Sequence, residues 1–477
     1  MSITRCPTRP LLIAVVTLSL LAAPACSSTT RSTAPPVVHP SRPNIVFVLT
    51  DDQRWDTIDQ MPWLSQQRDW ATFSNSFVED PQCCPSRATI LTGRDTTHTG
   101  VQTLQDGANL DERTTVATLL HGAGYRTGMF GKYLNGYPFD RGLYVPPGWD
   151  TWNAYVHSTL YYDYVLNEHG KAVHYGSDPS SYSTDVLASK ARQFITTTPG
   201  SKPLFLYLAF NAPHFVGAGW AQPARRDIGK CKGLAPLRPP SYNVVDRANS
   251  PRWVWPAEVQ KDWIMDTERQ RACEAMLDVD QQLASIVRTL RDTGRLQDTY
   301  LVFASDNGYQ YAEHRLFGKG DLYEESIRVP LLVKGPGIAG QSISRLTSNL
   351  DWTPTMLDWA RVEAPKGFLD GHSFAGNLAG RGGTSPDSVL LRGCRTIEAK
   401  GSAGDQEDAA CGGYPNGFGL AWGLRTARDV YVEYGDGERE LYDIVRDPYE
   451  MDNLAGRPQY AGVQQRLASQ LAVQRRR

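Results

Sequence analysis

Asn44-Ile45-Val46-Phe47-Val48-Leu49 runs without a polar interruption and then stops at Thr50-Asp51-Asp52. Unbroken rather than alternating hydrophobicity marks a strand buried on both faces, as in a mostly parallel sheet covered by helices. Two further stretches repeat the pattern. Leu204 to Phe210 stops at Asn211-Ala212-Pro213-His214, and Thr299-Tyr300-Leu301-Val302-Phe303-Ala304 stops at Ser305-Asp306-Asn307-Gly308. Ligands of open α/β sheets bind beyond the carboxyl ends of the strands. Three runs that deliver Asp, Asn and His to that edge predict one shared site. The expected fold class is α/β, a large mostly parallel sheet with helices on both faces.

Helical patterns fall between these runs. Ala272, Met276, Val279, Leu283, Ile286 or Val287, and Leu290 recur at three- and four-residue steps before Gly294, which predicts an amphipathic helix. Val116, Leu119 and Leu120 ahead of Gly122 and Gly124 predict a shorter one. Residues 215–262 carry many Pro, Arg and Trp without a period and read as a long irregular excursion. Trp220, Trp253 and Trp255 within it suit either stacking on a ligand ring or anchoring the loop by packing. After residue 385 the chain turns to Gly-rich loops and a hairpin, Val430 to Tyr434 and Arg439 to Ile444 around Gly435-Asp436-Gly437. The expected division is an export segment (1–26), a flexible tether (27–42), a main domain (43–385) and a small C-terminal antiparallel subdomain (386–477).

The export segment rests on Arg5 and Arg9 ahead of an apolar run from Leu11 to Ala23, short for a membrane span and followed by small residues. Ala23-Pro24-Ala25 before Cys26 resembles a bacterial lipoprotein cleavage site, with Ala23 where that site usually carries leucine. Signal cleavage alone is the alternative to lipid attachment at Cys26. Either way the protein is expected outside the cytoplasm, secreted or on the cell surface, touching membrane only through such a lipid. A formal net charge of −2 over 477 residues argues against a nucleic-acid partner, which calls for a strongly basic face. An exported chain permits disulfides. Cys394–Cys411, bracketing a polar Gly-rich loop, is the pair expected first and Cys231–Cys273 the second, although connectivity does not follow from sequence.

The chemistry concentrates in Cys83-Cys84-Pro85-Ser86-Arg87, followed by Leu91-Thr92-Gly93-Arg94. A thiol, a hydroxyl and a guanidinium open a helical pattern there, and a helix N-terminus beside an arginine favours an anion. Asp51-Asp52 is a candidate for a hard divalent cation, which wants an all-oxygen shell. A lone acidic pair is more often a helix cap with an exposed neighbour. Asp306-Asn307 at another predicted strand end shifts the balance, because two oxygen pairs at one sheet edge make a four-ligand set. No Cys/His cluster has zinc spacing.

The pattern Cys-x-Pro-Ser-Arg-x-x-x-Leu-Thr-Gly-Arg resembles the sulfatase signature at every defined position, with Cys84 on the variable one. The resemblance implies an alkaline-phosphatase-like fold and a sulfate monoester hydrolase. It implies that a separate formylglycine-generating enzyme oxidises Cys83 to formylglycine, the nucleophile. It further implies Asp51, Asp52, Asp306, Asn307 and the modified Cys83 around calcium, with magnesium as the alternative. Arg87 would anchor the nucleophile. Lys132 in Phe130-Gly131-Lys132-Tyr133 and Lys319 in Gly318-Lys319-Gly320 match sulfate-binding lysines, and His214 a proton donor to the leaving group. His314 is a second histidine of that kind, its alternative being a rim residue. The family often has a histidine where Leu134 stands. Gly131-Lys132-Tyr133-Leu134-Asn135, Tyr161-Tyr162-Asp163-Tyr164 and Ser305-Asp306-Asn307-Gly308-Tyr309 resemble the N-acetylglucosamine-6-sulfatase and heparan 6-O-endosulfatase branch, which implies a sulfated amino-sugar substrate. Two other readings compete: a phosphonate or phosphodiester hydrolase of the same superfamily, and a surface binding lipoprotein whose cysteine is never oxidised.

Overall fold

The computed structural model describes residues 42–157, 159–216, 219–383, 385–395 and 419–476. The export segment, most of the tether and Cys411 lie outside the described residues. Ten strands form the main sheet: β1 (Asn44–Asp51), β2 (Ala71–Phe73), β3 (Arg126–Gly131), β4 (Thr151–Tyr155), β5 (Tyr164–Glu168), β6 (Lys171–Tyr175), β7 (Leu204–Pro213), β8 (Thr299–Ser305), β9 (Leu331–Lys334) and β10 (Gln341–Ile343). Their order is β10-β2-β9-β8-β1-β7-β3-β4-β5-β6. The five central strands, β8, β1, β7, β3 and β4, are mutually parallel. Antiparallel pairing enters only on the flanks, between β8 and β9, β9 and β2, β4 and β5, and β5 and β6.

The continuous apolar run of β1 has the expected cause. Successive side chains of a strand point to opposite faces, so a strand covered on both sides must be apolar throughout. Ile45, Phe47 and Leu49 pack on one face with α1 (Cys83–Thr92), α2 (Val116–Gly122) and part of a later helix, Trp352–Ala360. Val46 and Val48 pack on the other with Leu187, Ala191 and Phe194 of α3 (Ser183–Thr197) and Met276, Val279 and Leu283 of α4 (Asp262–Asp292). The amphipathic helix begins ten residues before its first periodic residue, at Asp262.

The C-terminal strands Ser388–Arg395, Gly419–Thr426, Asp429–Tyr434 and Arg439–Asp443 form a four-stranded antiparallel sheet. One face packs Val389, Val430 and Val432 against Leu316, Leu322 and Ile327 of the main body. Its opposite face buries Leu424, Tyr431 and Leu441 under Leu467 and Leu471 of the helix Ala461–Gln474.

The 215–262 excursion is irregular, and a disulfide between Cys231 and Cys273 ties it to α4. That is the pair expected second. Cys394 is also disulfide-bonded. Trp253 is buried among Tyr323 and Tyr434, so packing holds it and it is not free to stack on a sugar. Trp255 remains 49% exposed.

Candidate active site

Four adjacent parallel strands end together, and each hands over site residues. In sheet order, β8 runs into Asp306-Asn307, β1 into Asp51-Asp52, β7 into His214 and β3 into Lys132. Thr50 lies in register with Ser305 and Asp51 with Pro213. Neighbouring side chains of a regular strand point apart, yet the two aspartates reach the same place. Asp52 adopts φ +68°, a left-handed turn that breaks the alternation at a cost of roughly 1–2 kcal/mol. Asp51, Asp52, Cys83 and His214 each then offer an atom within 4.8 Å of the others.

Gly131 positions Lys132 by close approach. A Cβ at Gly131 would stand 1.8 Å from the Ala209 carbonyl oxygen, so only glycine fits. With that clearance the Lys132 amide donates to the same carbonyl at 2.9 Å. Lys132 Nζ then lies 2.7 Å from Asp51 Oδ2.

Cys83 is the first residue of α1, whose ten residues are all buried. Unpaired N–H groups and the helix dipole give that end partial positive charge. Cys83 Sγ lies 3.3 Å from Asp51 Oδ1 and 2.8 Å from Lys319 Nζ. Burial and the Asp51 carboxylate push its thiol well above the ordinary range. One turn on, the Arg87 guanidinium meets Asp306 Oδ2 at 2.7 Å, Asp51 Oδ2 at 3.3 Å and the Lys132 carbonyl at 2.8 Å. Ser86 Oγ donates to the Asp306 carbonyl at 2.5 Å and accepts from Asn349 Nδ2 at 3.0 Å.

Lys319 Nζ also donates to Asp52 Oδ1 at 2.5 Å, an oxygen that accepts from Asn307 Nδ2 at 2.5 Å. Three buried carboxylates, Asp51, Asp52 and Asp306, thus meet the three cations of Arg87, Lys132 and Lys319. Burial alone would raise Asp51, but Lys132, His214, Arg87 and Lys319 hold it far below the usual carboxylate range. His214 Nδ1 donates to the Phe215 carbonyl at 2.5 Å, which turns Nε2 toward Asp52 Oδ2 at 3.7 Å. Asn307 Oδ1 and Asp52 Oδ2 are buried and accept no hydrogen bond.

All nine residues expected from the sequence gather at this sheet edge. His314 does not; it stacks on Tyr323 beside Glu325 and Glu450. Leu134 packs into the core and brings no polar group. His98 bonds Asp370 at 2.8 Å in a separate cavity of about 850 Å³. A smaller cavity of about 320 Å³ opens at Asp52, lined in part by Arg54, Arg269 and Pro213. One residue near the cluster escaped sequence reasoning. Glu268 on α4 is buried, and burial together with the Asp52 carboxylate pushes its carboxyl up to about 8. A signal existed: with Met265, Ala272 and Met276 it occupies the buried face of the helix, where an acid is out of place.

Residues 43–362 match the family model described as Sulfatase. An N-acetylglucosamine-6-sulfatase of Capra hircus is 32% identical over 461 residues, covering 87% of this chain and 80% of its own. Among solved structures, a protein in complex with its substrate D-glucosamine-2-N,6-O-disulfate superposes with a TM-score of 0.76 at 23% identity, covering 91% of this chain and 98% of that one. A phosphonate monoester hydrolase of Silicibacter pomeroyi reaches 0.71 at 22% identity, covering 91% and 95%. The two structural likenesses speak for the fold, which serves more than one ester chemistry. The family model spans two thirds of the chain and ends just past the Trp352–Ala360 helix, so the chain belongs to the sulfatase family and is a sulfuric ester hydrolase.

Proposed function

We propose that the protein hydrolyses sulfate monoesters of glucosamine-type sugars, with Cys83 as the formylglycine precursor and a divalent cation at Asp51, Asp52, Asp306 and Asn307. The observation that carries this reading is the seat of Cys83, between Asp51 Oδ1 and Lys319 Nζ at the carboxyl edge of the sheet. The donor set suits calcium or magnesium: it is all oxygen, and two of those oxygens are buried without a hydrogen-bond donor. Such a cation, when bound, supplies Lewis-acid polarisation of the sulfate oxygens and lowers the pKa of the attacking hydroxyl.

The residues divide the remaining work. Three carboxylates already balanced by three cations leave an added divalent charge free to offset the ester anion and an ionised nucleophile. Lys132 and Lys319, held against Asp51 and Asp52 at this edge, neutralise the sulfate oxygens. Arg87 spans Asp306 and Asp51 and fixes both. Hydrated formylglycine carries two hydroxyls on one carbon. One attacks sulfur while the ester S–O bond breaks and His214 Nε2 gives the leaving alkoxide a proton. Transfer of the second hydroxyl's proton to His214 Nε2, left neutral by the first step, then breaks the carbon–oxygen bond to sulfate and restores the aldehyde, which water rehydrates. A thiol lacks that second hydroxyl, which is the reason for the modification.

The same reading assigns residues 1–26 to export, 27–42 to a tether, 43–385 to the catalytic domain and 386–477 to a C-terminal subdomain, with Cys26 the point of any lipid attachment. The substrate class follows the amino-sugar names of the relatives. The test has two parts. Mass spectrometry of the Cys83 peptide from a host that carries the maturation enzyme should show the aldehyde or its hydrate. The matured protein should cleave 6-O-sulfated glucosamines well ahead of phosphonate or phosphodiester analogues. An intact thiol would overturn the mechanism, and equal rates on phosphorus esters would overturn the substrate class.

A further inference from the structure

His314, Glu325 and Glu450 form a second buried cluster apart from the candidate active site. His314 sits in the turn between the paired segments Gln310–Tyr311 and Phe317–Gly318. Glu325 lies in the short helix Glu324–Ile327, and Glu450 follows the Asp447-Pro448 turn in the C-terminal subdomain. One donor atom from each lies within 4.8 Å of the other two. His314 Nε2, Glu325 Oε2 and Glu450 Oε1 are all buried without a hydrogen-bond partner. Their residues are 2%, 5% and 2% exposed, so bulk water does not serve them. Three orphaned donors converging from three segments need an occupant.

The surrounding charges do not supply one. Glu324 is engaged by Arg425 at 2.5 Å and Arg328 at 3.4 Å, and Glu313 by Arg54 at 2.8 Å. Glu440 accepts from the hydroxyls of Tyr323 at 2.7 Å, Tyr442 at 2.6 Å and Tyr434. Among the described residues no arginine or lysine pairs with Glu325 or Glu450. The other oxygen of Glu450 accepts the Glu324 amide at 2.9 Å, which aims Oε1 into the cluster. The His314 ring is held flat against Tyr323, 3.9 Å between centroids.

We propose that His314, Glu325 and Glu450 bind one divalent first-row transition ion, zinc foremost, as a structural cross-link between the C-terminal subdomain and the main body. Two carboxylates neutralise a divalent ion, and the imidazole nitrogen favours zinc or iron over calcium. Bonds of about 2.0–2.2 Å let ligand atoms around one ion stand up to roughly 4 Å apart, a separation that the three atoms, all within 4.8 Å of one another, accommodate. Full burial leaves no open position for substrate, so the role is architectural. It would also brace the turn that leads into Lys319.

Elemental analysis of protein expressed with zinc and manganese, and purified without chelator, tests this without reference to turnover. The expected result is about one transition-metal ion per chain, lost from Glu450→Gln and from His314→Gln with a melting temperature several degrees lower. Calcium or magnesium content should not change. Wild-type protein free of zinc, manganese and iron would overturn the proposal. So would Glu450→Gln that keeps both metal content and melting temperature; that result would mean a proton shared by two carboxyls, since an amide replaces a protonated acid. Should the variants fail to fold, dipicolinate on the wild type decides. Melting must fall and recover with zinc alone, and an unchanged melting temperature overturns the site.

Discussion

Two buried acidic clusters lie in this molecule, and they solve the same electrostatic problem differently. At the sheet edge, Asp51, Asp52 and Asp306 interleave with Arg87, Lys132 and Lys319. Around His314, burial and the neighbouring carboxylates push Glu325 and Glu450 well above the ordinary range, while the nearby arginines serve other acids. Burial raises a carboxyl unless the cations against it outweigh that cost. Asp51 goes down because Lys132, His214, Arg87 and Lys319 together do so, Asp306 stays raised by burial and the Asp51 charge despite Arg87, and Glu450 goes up with no cation paired to it. The first cluster pairs each buried acid with a cation; the second is a set of ligand atoms with no charge to match them.

The comparison breaks most directly at Cys83, the proposed nucleophile. Cys83→Ala should leave the fold intact and lower kcat/KM on a sulfated glucosamine by at least about 10⁴-fold, the scale of deleting a covalent nucleophile. Steady-state rates beside a thermal melt check it, and a variant within tenfold of wild type would remove Cys83 from the chemistry. Arg87→Met attacks the charge matching itself. It strands Asp306 in the interior and leaves Asp51 to Lys132, and breaking a buried pair from one side costs about 3–5 kcal/mol. Denaturant unfolding measures this, and a loss below about 1 kcal/mol would mean the carboxylates take protons cheaply.

Lys132→Ala should cost less than either. Removing one cation aimed at developing charge lowers kcat by about 10²–10³-fold. Its signature is a fall in kcat larger than the rise in KM, because the charge it meets grows in the transition state. A pure KM effect would make Lys132 a binding group only.

Much of this site was legible because its signals are local. Each of the runs ending at Asp51, His214 and Asp306 is apolar enough to be read as a doubly covered strand, and all three are parallel neighbours in the sheet. The strand before Lys132 was not legible as one. Arg126-Thr127-Gly128-Met129-Phe130-Gly131 carries two glycines and little β-branching, and its pairing with β7 is what makes it a strand. The flanking antiparallel strands are short and depend on their neighbours for the same reason. The disulfide expected second formed because Cys231 and Cys273 are brought together by the excursion folding back on α4, which no spacing rule foretells. The second cluster was invisible in sequence, since His314, Glu325 and Glu450 meet only through tertiary packing.

Glu268 gives the finest test of the comparison, because it lies beside the cation-matched cluster yet behaves like the other one. Burial and the Asp52 charge lift its carboxyl from 4.5 to about 8, so the folded protein holds a proton that the unfolded chain releases. The sign follows from linkage. Stability tied to that proton is fully present below 4.5 and is lost as pH rises through about 8. Its slope is at most about 1.4 kcal/mol per pH unit for a single group. Glu268→Gln mimics the neutral acid and should flatten the decline in urea midpoint between pH 5 and pH 8, an interval of about 3 units. A variant that declines as steeply as the wild type would show that Glu268 is ionised in the folded protein and that the cations around Asp52 reach further into α4 than their contacts imply.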